Sequence, residues 1–191
     1  DRITEELTAH KITANNVKGA YQATAHLITT GHSKIAHLSS KSSLTMTSER
    51  FEGYKQALAD HQIAYTEKLV QFCDTTDHQD IEENLSKSMV KLLEQQPDAI
   101  FAATDLLSIK ALEYLNQNNY SIPNDIALIG FSNSELAAML NPSLSTVRQP
   151  SRQIGELAAQ TLINLVKGKD IGAAETVLLD TELQIRKSSS R

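Results

Sequence analysis

An α/β fold built on parallel strands is what this chain predicts, on two observations. Short apolar runs alternate with stretches of helical spacing from Lys11 to Ile185, as expected when each strand is followed by a crossover helix. Residues 98–141 then read as a complete βαβ unit. Within it, 99–103 is apolar without interruption, which suits a strand covered on both faces. Thr104 and Asp105 offer side-chain oxygens to the free amides of a helix start, and Leu106, Ile109, Leu112 and Leu115 follow at helical spacing. Asn118 and Asn119 tolerate the left-handed angles that end a helix. Pro123, Asn124 and Asp125 form a turn ahead of the apolar run 126–129.

The other elements follow in chain order. Residues 11–14 make a weak strand, Asn15 and Asn16 cap a helix carrying Val17, Ala20, Tyr21, Ala25 and Ile28, and Gly31 ends it. Residues 34–38 form the next strand. The serine-rich run 39–48 leads to a helix with Arg50, Phe51, Tyr54 and Leu58, capped by Thr47 or Ser48. Residues 67–72 give a strand, and Asp77 caps a helix whose buried face holds Ile81, Leu85, Met89 and Leu92. A helical turn is expected within 134–140 and a short strand or loop at Thr146 and Val147. Pro150 then opens a helix with Ile154, Leu157, Ala158, Thr161, Leu162 and Leu165 on one face. One or two strands lie in 176–185, and the terminal SSSR reads as frayed.

Composition narrows the function. A chain of 191 residues with net charge −5 has no basic excess to hold nucleic acid phosphates by itself. A single cysteine, Cys73, excludes an internal disulfide. No apolar run approaches the roughly 20 residues that span a bilayer, and the first residues do not form a signal peptide, so the cytoplasm is the expected location. GFSNS at 130–134 approximates a nucleophile elbow without its last glycine, and no histidine follows Ser132, the last being His78. The hydrolase order is therefore absent. His26, His32 and His37 lack metal-ligand spacing and read as surface or packing residues. No glycine-rich phosphate loop and no acid–base pair at glycosidase spacing support cofactor or sugar-cleaving chemistry; no cofactor and no metal are expected.

Several phrases of the sequence resemble one family. AIFAATDLLSIKALEYL, IPNDIALIGFSN, NPSLSTVRQP and TELQIR, with NNVKGAYQATAHLITTGHSKIAHLSS and SERFEGYKQAL upstream, are similar to the effector-binding core of the lac repressor and galactose repressor family of bacterial transcription regulators. The resemblance implies two α/β lobes of periplasmic-binding-protein type with a ligand cleft between them. It assigns 1–40 and 150–168 to an N-terminal lobe, incomplete here, and 41–149 and 169–191 to a C-terminal lobe. It further implies a homodimer, a small effector such as a sugar, operator DNA bound only through an upstream helix-turn-helix, and a polypeptide that begins before Asp1. The alternative within the same architecture is a periplasmic sugar-binding protein of a transport system.

Open parallel sheets place ligands beyond the carboxyl ends of their strands, where Thr104, Asp105, Ser132 and Asn133 fall. By residue type alone Arg50 reads as a surface arginine, but the resemblance makes it an effector contact. Asn15, Ser132, Thr104 and Gln149 match cleft positions in relatives and equally suit caps or turns. Thr75 stands where relatives often carry an aromatic side chain, and Ser132 where many carry an aspartate, so the effector class does not transfer directly.

Overall fold

The computed structural model describes residues 8–40, 44–76, 80–169 and 172–190. Asp1 to Ile3, part of the serine-rich turn and the Asp77 cap lie outside the described residues. The elements are β1 (Lys11–Ala14), α1 (Asn16–Thr29), β2 (Ile35–Ser40), α2 (Thr45–Asp60), β3 (Val70–Cys73), α3 (Ile81–Leu93), β4 (Ala99–Ala102), α4 (Asp105–Gln117), β5 (Ala127–Phe131), β6 (Ser145–Arg148), α5 (Ser151–Val166), β7 (Thr176–Leu179) and β8 (Glu182–Gln184). Short 3₁₀ turns at Glu67–Leu69 and Glu135–Ala138 precede β3 and follow β5. A six-stranded sheet runs β3-β2-β4-β5-β6-β8, parallel except for the last strand, and β1 pairs with β7 in a separate two-stranded sheet.

Side chains alternate across the large sheet as the two-residue strand period requires. On one face Leu38, Ile100, Ala102 and Leu128 meet Leu85, Met89 and Leu92 of α3 and Leu107, Ala111 and Leu115 of α4. On the other, Ile35, Phe101, Ile129 and Phe131 meet Ala20, Ala23 and Leu27 of α1 and Tyr54 and Leu58 of α2. Both faces are thus covered, which explains the uninterrupted apolar runs. Caps fall largely as read: Asn15 accepts from the Lys18 amide at 3.1 Å, Thr104 from the Leu107 amide at 3.3 Å, and Asn119 takes φ 60° after α4.

Three expectations are corrected. Thr47 and Ser48 lie inside the first turn of α2, which starts after Leu44 with no side-chain cap. Asn16 is not a cap but a buried partner of Arg50. α1 packs on the large sheet, of which β2 is an inner strand. β7 pairs with β1 and β8 with β6, Asp180 and Thr181 carrying the chain from one sheet to the other. The terminal serines are not frayed. Ser188 and Ser189 are buried: Ser188 Oγ donates to the Leu128 carbonyl at 2.6 Å and accepts from the Ser145 amide at 2.8 Å, and Ser189 Oγ donates to Ser145 Oγ at 2.7 Å. Such contacts, across more than 40 residues of chain, leave no local pattern.

α5 contacts β1 and has no buried residue, leaving Leu162, Ile163, Leu165 and Val166 exposed. α1 and α2, by contrast, pack closely at Gly53. A Cβ on Gly53 would lie 2.2 Å from the Val17 carbonyl oxygen and 2.9 Å from Ala20 Cβ, and backbone cannot yield as a flexible side chain can. Gly53→Ala is therefore expected to lower stability by about 2–3 kcal/mol, read by urea unfolding.

Candidate effector site at the carboxyl ends of the strands

The five parallel strands β3, β2, β4, β5 and β6 end on one edge of the large sheet. The turns leaving that edge carry the predicted residues. β4 delivers Thr104 and Asp105 to the start of α4, and β5 delivers Ser132 and Asn133. Ser132 is 2% exposed, donates through its hydroxyl to Asp105 Oδ1, and accepts from the Ser134 amide at 3.1 Å. The two strand tips are thereby fastened together. A hydroxyl held by a carboxylate, with no imidazole in the contact, is a polar anchor rather than an activated nucleophile.

Arg50 sits beneath these tips. It is 1% exposed, reached from the second turn of α2, with its guanidinium carbon 3.7 Å from the centre of the Phe131 ring. Nε donates to Asn16 Oδ1 at 2.9 Å and Nη1 to the Ala103 carbonyl at 2.7 Å, while Nη2 finds no hydrogen-bond partner among the described residues. Burial lowers its pKa to about 10, opposed by the Glu49 carboxylate, so the side chain stays charged at neutral pH. A buried charge with an unanswered donor is costly unless a ligand completes it. Sequence type placed Arg50 on the surface; the resemblance placed it in the cleft, and the geometry is that of a buried donor.

Asn133 closes the next part of the edge. Its Oδ1 accepts from the Gln149 amide at 2.6 Å, and its Nδ2 donates to the Gln149 carbonyl at 3.3 Å and to Ser151 Oγ. Both ends of the amide are engaged in fixing the segment that leaves β6 for α5. A cavity of about 700 Å³ opens there, its lining including Asn133, Arg148, Gln149, Arg152, Asp180 and Glu182. Asn15 flanks the same crossing, its amide donating to the Leu179 carbonyl at 2.8 Å, and Lys18 pairs with Asp180 at 2.6 Å. The Lys18 ammonium holds the Asp180 carboxyl below its usual range.

Thr75 is set apart from the other candidates. It follows the edge strand β3, three strands from β5, and thus about 14 Å away at ordinary strand spacing. Sequence reasoning missed Asn16, Glu49 and Phe131. A second asparagine where one cap suffices, and a carboxylate beside Arg50, were the signals available. Among the described residues, no group of three or more His, Cys, Asp or Glu side chains could hold a metal ion, and no helix is long and apolar enough to cross a membrane.

The periplasmic binding protein-like domain family matches residues 24–189. Among curated proteins, the transcriptional repressor PurR of Vibrio campbellii (strain ATCC BAA-1116) is 35% identical over 170 residues, 87% of this chain and 49% of that protein. The ribose operon repressor of Haemophilus influenzae is 32% identical over 185 residues, 96% of this chain and 54% of that one. The chain thus spans about half the length of the curated relatives it matches. Among solved structures, a complex of the transcriptional regulator CelR with cellobiose superposes with a TM-score of 0.86 at 31% identity, covering 97% of this chain and 55% of that one. The chain belongs to the periplasmic binding protein-like domain family, in the form carried by transcription regulators of the lac repressor type.

Proposed function

We propose that this chain is the effector-binding and dimerisation part of a transcription regulator, and that a small polar molecule, a sugar or related metabolite, binds at the carboxyl edge of the large sheet. The observation that carries this reading is the buried Arg50 with Nη2 unanswered, below the Ser132–Asp105 anchor. Arg50, Thr104, Asp105 and Ser132 contact the effector from the large sheet, with Gln149 and Asn15 at the crossing; Thr75 contributes only to a ligand long enough to reach β3. Asn133 holds the crossing in place. The relatives named above are repressors and regulators, which favours regulation over transport. The chain acts by binding, carries no catalytic step, and works in the cytoplasm. Exposed Leu136 and Met139, on the turn after Ser134, support a homodimer contact beside the site. An effector that prefers one arrangement of the crossing would shift the population of a DNA-competent dimer, with DNA contacts made by a segment outside this chain.

Thermal unfolding against a panel of sugars, sugar phosphates and nucleobases tests this. A ligand at a hundredfold excess over its Kd adds about 2.7 kcal/mol, or roughly 5–10 °C for a chain of this size. A midpoint that no compound in the panel moves would contradict the reading.

A further inference from the structure

We propose that Asn16 is the positioning residue that decides which face of Arg50 an effector meets, and so selects a neutral oxygen over an anion. The inference rests on Arg50 being the effector contact. Asn16 is the first residue of α1 and 2% exposed. Its Oδ1 accepts from Arg50 Nε at 2.9 Å, and its Nδ2 donates to Glu49 Oε2 at 2.8 Å. The amide can lie only this way round, since a guanidinium needs an acceptor and a carboxylate a donor. Asn16 thus joins the two charges of adjacent residues on α2 without letting them pair side by side.

Nε is taken by Asn16, one N–H of Nη1 is taken by the Ala103 carbonyl, and one face of the guanidinium is covered by Phe131 at 3.7 Å. Nη2 is the one guanidinium nitrogen with no partner among the described residues. Carboxylates and phosphates are best held by two adjacent nitrogens acting as a fork, whereas one nitrogen suits a single hydroxyl or carbonyl oxygen. By occupying Nε, Asn16 removes the Nε/Nη2 fork. An unpaired Asn16 would return it, and anions would gain.

The test uses side-chain NMR of the ¹⁵N-labelled 191-residue chain, with the Arg50 Nε–Hε resonance assigned by its loss in Arg50→Lys. In the native chain Arg50 Hε is expected to exchange at least tenfold more slowly than that of exposed Arg152. Asn16→Ser, too short to reach Nε, loses this protection while the α1 backbone amides keep theirs; Asn16→Asp, which retains the acceptor, keeps it. Inorganic phosphate at 50 mM then moves the Arg50 resonance in Asn16→Ser and leaves the native one in place. Protection that survives in Asn16→Ser, or is lacking in the native chain, overturns the positioning role. A native resonance that moves as far as the variant's, or a variant resonance that phosphate leaves unmoved, overturns the selection. The effector reading fails separately, if Arg50→Lys binds the effector as tightly as the native chain does.

Discussion

Arg50→Lys is expected to bind effector roughly a hundredfold more weakly than the native chain, a loss of about 2.7 kcal/mol, while its unfolding midpoint falls by only a few degrees. Lysine keeps the positive charge and most of the stem, so the buried volume and the attraction to Glu49 largely survive. What it lacks is the plane of three nitrogens. A single ammonium cannot answer Asn16 Oδ1 and the Ala103 carbonyl, lie flat against Phe131 and still present a donor to the ligand. The cost to folding is about one unmade hydrogen bond, 1–3 kcal/mol. Calorimetric titration beside urea unfolding separates the two effects. Equal losses in affinity and stability would mean that Arg50 is only a structural pin between α1 and α2.

The second large effect is acid sensitivity. His37 lies on strand β2, fully buried, with both ring nitrogens unpartnered among the described residues, stacked on Tyr54 at 4.9 Å and surrounded by Phe51, Phe72 and Phe101. Burial alone lowers its pKa to about 3; the stacked Tyr54 hydroxyl, whose own pKa burial raises, donates to the Ile35 carbonyl at 2.9 Å. The unfolded chain takes up this proton near pH 6.5, the folded chain only near pH 3, so the unfolded state binds more protons in between and stability falls as pH falls. The slope is about 1.4 kcal/mol per pH unit, and the whole window amounts to about 5 kcal/mol, comparable with the net stability of many domains. His26, also lowered chiefly by burial, adds to the same trend. His37→Phe matches the ring's size, leaves no polar atom unsatisfied and removes the titration. Between pH 7 and pH 5 the native chain is expected to lose about 2 kcal/mol more than this variant, read by urea unfolding at each pH. Parallel losses in the two proteins would show that His37 finds a proton acceptor in the folded state.

Where sequence and structure agree, the information is local. The uninterrupted run before Thr104, the hydroxyl at the helix start and the asparagines at its end are each read from neighbours within a few residues, and β4, α4 and β5 follow from them. What escaped the sequence depends on distant chain. The Ser188–Leu128 and Ser189–Ser145 bonds, the split of β7 and β8 between sheets and the exposure of α5 all depend on which strand comes to lie beside which. The candidate site divides in the same way. The placement of Thr104, Asp105, Ser132 and Asn133 was legible because the ends of parallel strands are predictable positions. Asn16 was not, since its value comes from Gly53, which lets α1 approach α2 closely enough for an amide to reach a guanidinium. His37 read as one of several unremarkable histidines until the aromatic side chains of three other elements closed around it.

The effector is expected to bind at the carboxyl edge of the large sheet, and amide NMR of the labelled chain titrated with the first panel compound that raises its unfolding midpoint tests this most directly. Perturbed amides at Thr104, Asp105, Ser132, Asn133 and Gln149, together with a shifted Arg50 side chain, are the predicted result. Perturbations confined to the opposite edge, around the cavity of about 500 Å³ formed by Pro97, Asp98 and Tyr120, would contradict it.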